Sequence, residues 1–258
     1  MTREEAMKVL DQTNGPVRTV TLNRPEKRNA MDPEMLDELA AAFSTEPGPL
    51  ERVAVIRANG SAFCAGLDLR QRLTDGATGA SSPIEHVLHL VEIYPLPVVA
   101  VVQGDAIAGG NELALHCDFV VASTAASFGM SLAQIGLAPT WFLAKKLLEV
   151  AGPVATRRIL LLGDPVPAER MAAMGVIHSA VAPEALDAAA QVVIDRLAAN
   201  APLSLKAMKA LLVREMAFRD GIEHQDVNRL IEKSRTSDDA REGIAARLEK
   251  RTAHFRGI

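Results

Sequence analysis

The sequence predicts an α/β fold in which turns of strand and helix recur, followed by a helical C-terminal region. Two observations predict it. Continuous β-branched and small apolar runs at Val53 to Ala58, Val98 to Val102 and Phe119 to Ala122 read as buried strands, with helical spacing between them. From Pro183 onward the spacing is helical throughout, so strands concentrate before about residue 182. The chain divides into a core over residues 1–182 and a helical region over 183–258, the latter a small domain or an oligomerisation arm.

In order, VRTVTL at 17–22 alternates with a period of two and reads as a half-exposed strand. A polar loop, NRPEKRNAMDP, follows. Asp32 and Pro33 then supply an N-cap and a first helical residue, and Met35, Leu36, Leu39 and Phe43 share one face of the helix they open. The prolines and glycine of Glu46 to Leu50 end it. The strand at Val53 to Ala58 leads into NGSAFCAGLDLR, a turn-rich segment with an Ala65-Gly66 pair. Gln71 to Pro83, rich in glycine, alanine, threonine and serine, reads as a surface loop, with a lid over a pocket as the sharper alternative. Ile84 to Ile93 is helical, and Pro95 and Pro97 close it. After Pro139, TWFLAKKLLEVAG, PVATRRILLLG and PAERMAAMG read as three helices, the first ended by Gly152, and Ile177 to Val181 as a short returning strand. PEALDAAAQVVIDRLAAN, PLSLKAMKALLVREMAF and SDDAREGIAARLEKRTAHF complete the chain as helices.

The stretch from Pro97 to Pro139 organises the rest. Its buried strand ends at Gln103, Gly104 and Asp105, and Gly109 and Gly110 let the backbone turn tightly into the helical NELALHCDF. Free N–H groups at such a turn stabilise negative charge that develops on a carbonyl oxygen. The same glycines also suit a plain packing joint between strand and helix. Gly104 to Asn111 spells G-x-x-x-x-G-G-N, which lacks the lysine and hydroxyl of a phosphate loop, and no G-x-G-x-x-G occurs there.

Composition narrows the partners. Hydrophobic content of 48%, charge of 23% and a net charge of -4 describe an ordinary globular protein without a basic footprint for nucleic acid. Aromatics at 3% leave little for base stacking. Met1 runs into TREEAMKVL with no signal-peptide pattern, and no apolar stretch reaches the length of a membrane span. Two cysteines, Cys64 and Cys117, make neither a disulfide framework nor a zinc site, and a cytoplasmic location is expected.

Four segments together resemble the crotonase superfamily, the enoyl-CoA hydratase/isomerase family: LNRPEKRNAM, SAFCAGLDL, PVVAVVQGDAIAGGNELALHCD and ASFGMSLAQIGLAP. The resemblance covers nearly the whole chain. It implies a crotonase-type spiral of repeated ββα turns, a helical C-terminal region that builds trimers or dimers of trimers, and an acyl-CoA thioester as ligand. Coenzyme A then arrives as part of the substrate, with no separate cofactor and no metal. By position, the two backbone donors of an oxyanion hole fall on Leu67 and Gly109, an acid-base glutamate falls on Glu112, and Gly110 and Leu132 are expected among the substrate-binding residues. Contacts to the coenzyme fall on Lys27, Arg28, Ala30, Ala65, Gly66 and Asp68. Lys250, in EKRTAHF, matches the lysine that reaches the ribose 3'-phosphate.

The chain also departs from the pattern. Ser131-Leu132 stands where hydratases of the family carry proline and their second glutamate, and leucine carries no proton. Thr140 replaces a glycine that lodges water, and Trp141 is expected to narrow the acyl pocket. Gln134 and Asn111 do not titrate; His116, one turn from Glu112, and His86 and His89 have no motif behind them. Two readings follow: an acyl-CoA enzyme of the hydratase/isomerase type with one acid-base glutamate, or an acyl-CoA-binding protein depleted of catalysis.

Overall fold

The computed structural model describes residues 7–69 and 82–258. The loop expected over Gln71 to Pro83 therefore lies, apart from its last two residues, outside the described residues. The elements are β1 (Val9–Asn14), β2 (Val17–Leu22), α1 (Pro33–Ser44), β3 (Val53–Ala58), α2 (Glu85–Ile93), β4 (Val98–Val102), β5 (Ala106–Ile107), α3 (Gly109–Leu115), β6 (Phe119–Ser123), β7 (Ser127–Gly129), α4 (Trp141–Arg157), β8 (Val166–Pro167), α5 (Ala168–Ala173) and β9 (Ser179–Val181). Four helices follow: α6 (Leu186–Ala199), α7 (Pro202–Met216), α8 (Gln225–Thr236) and α9 (Asp238–Glu249).

Six strands form one sheet in the order β1-β2-β3-β4-β6-β9, and β5, β7 and β8 form a second. Only β1 and β2 pair antiparallel in the large sheet; each later neighbour is parallel. Parallel strands need crossovers, and the helices that make them pack on one face, while α6, after the last strand, covers the other. Along β3 and β4 the side chains alternate between two cores. Ala54, Ile56, Val98, Ala100 and Val102 pack with α1 and α2 residues such as Leu39 and Leu88, while Val53, Val55, Val99 and Val101 pack under Leu186, Ala190, Ile194 and Leu197 of α6. Burial on both faces is why these strands read as unbroken apolar runs, each valine contributing roughly 1.5–3 kcal/mol.

Local signals set the element ends. Asp32 caps α1 by accepting from Met35 N at 3.0 Å. Gly152, at φ 65° and ψ 172°, breaks the helical path inside α4 where the sequence reading ends one helix and starts another. The C-terminal helix stops at Glu249, short of the expected His254 and Phe255, with Lys250 in the left-handed region at φ 56°. Lys209 of α7 ties this region to the core: its Nζ donates to Val91 O (3.3 Å), Leu96 O (3.1 Å) and Asp118 Oδ2 (2.7 Å). Among the described residues no helix is long and apolar enough to cross a membrane.

Candidate active site

Three backbone segments meet where β4 gives way to α3. Residues 63–68 are threaded between the loop before α1 and the turn before α3. On one side Ala65 N donates to Arg28 O (3.0 Å), Met31 N to Gly66 O (2.8 Å) and Asp68 N to Met31 O (2.9 Å). On the other, Ile107 N donates to Cys64 O (2.9 Å). The glycines make this close approach possible. A Cβ on Gly66, at φ +88°, would stand 2.9 Å from Gly109 N, and one on Gly110 would stand 2.1 Å from Cys64 O. Ala108, the residue before α3, holds φ 50° and ψ -117°, a strained conformation for a side-chain-bearing residue, and its N–H donates to Gly129 O at 2.7 Å.

This arrangement leaves two amides free. Among the described residues neither the N–H of Leu67 nor that of Gly109 has an acceptor. Both residues line one cavity of about 300 Å³.

Glu112 lines the same cavity from the first turn of α3. It is 1% exposed, and among the described residues neither carboxyl oxygen has a hydrogen-bond partner. Burial pushes its carboxyl up to about 8, against a smaller opposing pull from the Lys146 ammonium. One turn on, His116 Nδ1 lies 2.7 Å from Glu112 O, a contact to an acceptor that puts the proton on Nδ1. The ring stacks on Phe142 at 5.3 Å. Burial, with Lys146 nearby, brings it down to about 4, so it stays neutral. Lys146 itself is held by Glu92 (2.8 Å) and Glu149 (3.1 Å).

Met130, Leu132, Ile135, Leu137 and Leu143 add apolar side chains to the lining of the same cavity. Thr140, the residue in the place of the water-lodging glycine, caps α4 by accepting from Leu143 N at 3.3 Å.

Of the residues singled out in the sequence, the structure brings Leu67, Gly109, Glu112, Arg28, Ala65 and Leu132 around this cavity. Gly66 and Gly110 stand behind its wall as packing contacts. Asp68 accepts from Arg24 Nη1 at 3.2 Å, and Ala30 O accepts from the same nitrogen at 2.8 Å. Lys27, on a short 3₁₀ turn, and Lys250 are exposed and do not line the cavity, and Trp141 stacks on His224 at 4.2 Å instead of entering it. Three arginines escaped the sequence reading. Arg24 braces the loop before α1 through Asp32 and Asp68, and Arg235 of α8 and Arg247 of α9 line the cavity. Nothing in their spacing separates these two from surface helix arginines. Among the described residues no cluster of side chains is arranged to hold a metal.

Comparison with known proteins agrees with the resemblance. Residues 12–257 match the family model described as enoyl-CoA hydratase/isomerase. A putative enoyl-CoA hydratase of Thermus thermophilus is 36% identical over 253 residues, 93% of this chain and 98% of that protein. The (E)-benzylidenesuccinyl-CoA hydratase of Thauera aromatica is 32% identical over 264 residues, 97% of this chain and 100% of its own. Among solved structures, an enoyl-CoA hydratase/isomerase from Xanthobacter autotrophicus Py2 superposes with a TM-score of 0.80 at 30% identity, covering 97% of this chain and 99% of that one. With the family model matched over residues 12–257 and relatives more than 30% identical over nearly the whole chain, the chain belongs to the enoyl-CoA hydratase/isomerase family of the crotonase superfamily.

Proposed function

We propose that the protein is an acyl-CoA enzyme that moves a proton at a carbon beside the thioester, using one carboxyl group. The N–H groups of Leu67 and Gly109 receive the thioester oxygen and stabilise the enolate as charge builds on it; by analogy, one such donor is worth roughly 2.7–4 kcal/mol. Glu112 delivers or takes the proton. The observation that carries this reading is the Glu112 carboxyl: buried, without a hydrogen-bond partner among the described residues, and in the same cavity as two amides that have none among them either. With its pKa near 8, it is close to balance between donor and acceptor forms around neutral pH.

Leu132 decides the reaction type. An apolar side chain stands where a second carboxylate would hold a water, which favours proton shuttling, as in double-bond isomerisation, over two-carboxylate hydration. The test is incubation with crotonyl-CoA, with a 3-enoyl-CoA, and with a saturated acyl-CoA in D₂O to follow exchange of the α-hydrogen. The expected result is isomerisation and α-exchange, both lost in Glu112→Gln. Tight acyl-CoA binding with neither turnover nor exchange in either protein would instead support the catalytically depleted binder.

Trimer formation, alone or as a dimer of trimers, is part of the same proposal. Leu203, Leu211 and Leu212 of α7 and Leu230 of α8 are large apolar side chains left exposed, which supports burial against another subunit. Light scattering on the eluting protein measures the mass directly.

A further inference from the structure

The Leu67 amide owes its direction to the loop behind it. A trans peptide unit points its carbonyl and its N–H in opposite directions, so the side taken by Gly66 O decides where the Leu67 N–H is aimed. Met31 N donates to Gly66 O at 2.8 Å and Asp68 N donates to Met31 O at 2.9 Å, as Met31 and Leu67 bridge in parallel. The Leu67 N–H is thereby turned away from residues 24–31, and Leu67 lines the cavity. Whatever fixes that loop aims the amide.

Asn29 fixes it. The residue is fully buried, and each of its polar groups is engaged. Its Oδ1 accepts from Arg24 N at 2.8 Å, and its Nδ2 donates to Asn59 O and to Ala62 O, both at 2.9 Å. Its N–H donates to Arg24 O at 2.9 Å, and its carbonyl accepts from Cys64 Sγ at 3.0 Å. Cys64 Sγ in turn accepts from Gly66 N at 3.4 Å, one residue before Leu67. The backbone here is strained as well: Arg28 and Asn29 stand side by side in the left-handed region, at φ 51° and 53°. Asparagine tolerates that region and arginine seldom enters it, so the turn persists because its surroundings impose it. The turn brings Arg28 O to Ala65 N at 3.0 Å and sets Arg28 on the cavity wall.

We propose that Asn29 is a positioning residue for the thioester: by locking the loop of Arg28 onto residues 59–64, it fixes the Leu67 amide relative to the cavity wall. A ligand held at the loop then delivers its carbonyl oxygen to a donor already in place. This rests on the acyl-CoA reading above and deepens it.

The experiment follows exchange of the α-hydrogen of butyryl-CoA in D₂O, resolved into kcat and KM, for wild type, Asn29→Gly and Asn29→Ala, at temperatures where denaturation curves show each protein folded. Glycine keeps access to the left-handed turn and gives up the side-chain bonds; alanine gives up both. The expected result is a kcat lowered by roughly 10- to 100-fold in Asn29→Ala and by less in Asn29→Gly, because a misplaced donor weakens stabilisation of the transition state. KM is expected to stay near its wild-type value. Lys209→Met, which loosens α7 from the core and touches neither loop nor amide, is expected to keep its kcat while folded, so lost stability alone does not reproduce the pattern. Variants that fold and exchange at the wild-type kcat overturn the inference, whatever their unfolding midpoints. So does a loss confined to KM. If Asn29→Ala does not fold, Asn29→Gly decides. If wild type itself shows no exchange, the acyl-CoA enzyme reading has failed and takes this inference with it, an outcome told apart from the inference's own failure by the wild-type rate.

Discussion

The α-carbon of Gly110 faces the carbonyl of Cys64 so closely that a side chain has no room: a Cβ there would lie 2.1 Å from that oxygen and 2.7 Å from its carbon. Both partners are backbone, and Cys64 O is already committed to Ile107 N. Gly110→Ala must push α3 away from residues 63–68 and with it the amide of Gly109. The expected loss is more than about 2 kcal/mol, read from urea unfolding. Gly109→Ala provides the contrast, because its Cβ would stand nearest, at 2.9 Å, to Ile84 Cδ1 and Met31 Cε, both at the ends of flexible side chains, with the backbone of Gly66 in ordinary contact at 3.4 Å. That variant is expected to lose less than half as much.

Glu112 predicts an unusual pH dependence. Its carboxyl is raised from 4.5 to about 8 in the folded protein, so between those values the native state holds a proton that the unfolded chain has released. Stability from this group is therefore full below about pH 4.5 and falls as pH rises to about 8. At about 1.36 kcal/mol per pH unit the whole interval amounts to roughly 3–5 kcal/mol. Glu112→Gln lacks the titration. The stability difference between wild type and variant, followed by chemical denaturation from pH 5 to 9, is expected to move steadily in the variant's favour; a flat difference would show that the carboxyl ionises freely.

His116 acts in the opposite direction. Held neutral and lowered from 6.5 to about 4, it leaves the unfolded chain with more protons below pH 6.5. Stability from this residue is intact above 6.5 and falls as the solution is acidified toward pH 4, by roughly 3 kcal/mol. His116→Phe keeps a ring against Phe142 and removes the titration. Its unfolding free energy is expected to decline less than that of wild type between pH 6.5 and 4.5.

Legibility in the sequence followed burial. Strands β3, β4 and β6 stood out because both of their faces are covered, and α1 because Asp32, Pro33 and a one-sided apolar stripe agree. β1 escaped notice: it is an edge strand in which Val9 is buried but Asp11 through Asn14 are exposed, so neither alternation nor an apolar run marks it. α8 falls in the stretch read as helical from Pro183 but was not set out as an element of its own, for a related reason. Only Ile231 and Arg235 of its residues are buried, and a helix with so few inward apolar positions looks like polar linker. That omission also hid Arg235 from the site. By contrast Leu67, Gly109 and Glu112 were placed by the resemblance of SAFCAGLDL and PVVAVVQGDAIAGGNELALHCD to the family's motifs, and the fold brings all three to one cavity, where glycines let residues 63–68 cross the start of α3.

Lys209 shows how a charge in a helical repeat conceals its role. In sequence it is one of two lysines on PLSLKAMKALLVREMAF; in the fold it satisfies a carbonyl in the last turn of α2, a second just beyond it, and the carboxylate of Asp118, which in turn accepts from Val98 N at 2.7 Å. Lys209→Met keeps the length of the side chain and leaves those acceptors without their donor. The expected loss is roughly 2–4 kcal/mol, measured by denaturant unfolding, with Lys206→Met on the exposed face of the same helix as a near-neutral control.

Leu132→Glu tests whether one missing carboxylate separates this site from a hydratase. The leucine lines the cavity with Glu112 and touches the apolar group of Ile135, Leu137 and Ile244. A glutamate there is desolvated, so its pKa rises and part of the folding free energy is lost. It also faces the space in which water must be held for addition to a double bond. If the amide pair of Leu67 and Gly109 is already arranged for a thioester, adding the second acid-base group is expected to raise hydration of crotonyl-CoA by roughly 10²-fold over wild type. The gain is expected to disappear when Glu112→Gln is combined with it, because a single carboxyl is again left to do both proton transfers. A variant that folds, binds crotonyl-CoA as wild type does and still adds no water would place the obstacle elsewhere: in Thr140, whose side chain fills the position of the water-lodging glycine and caps α4.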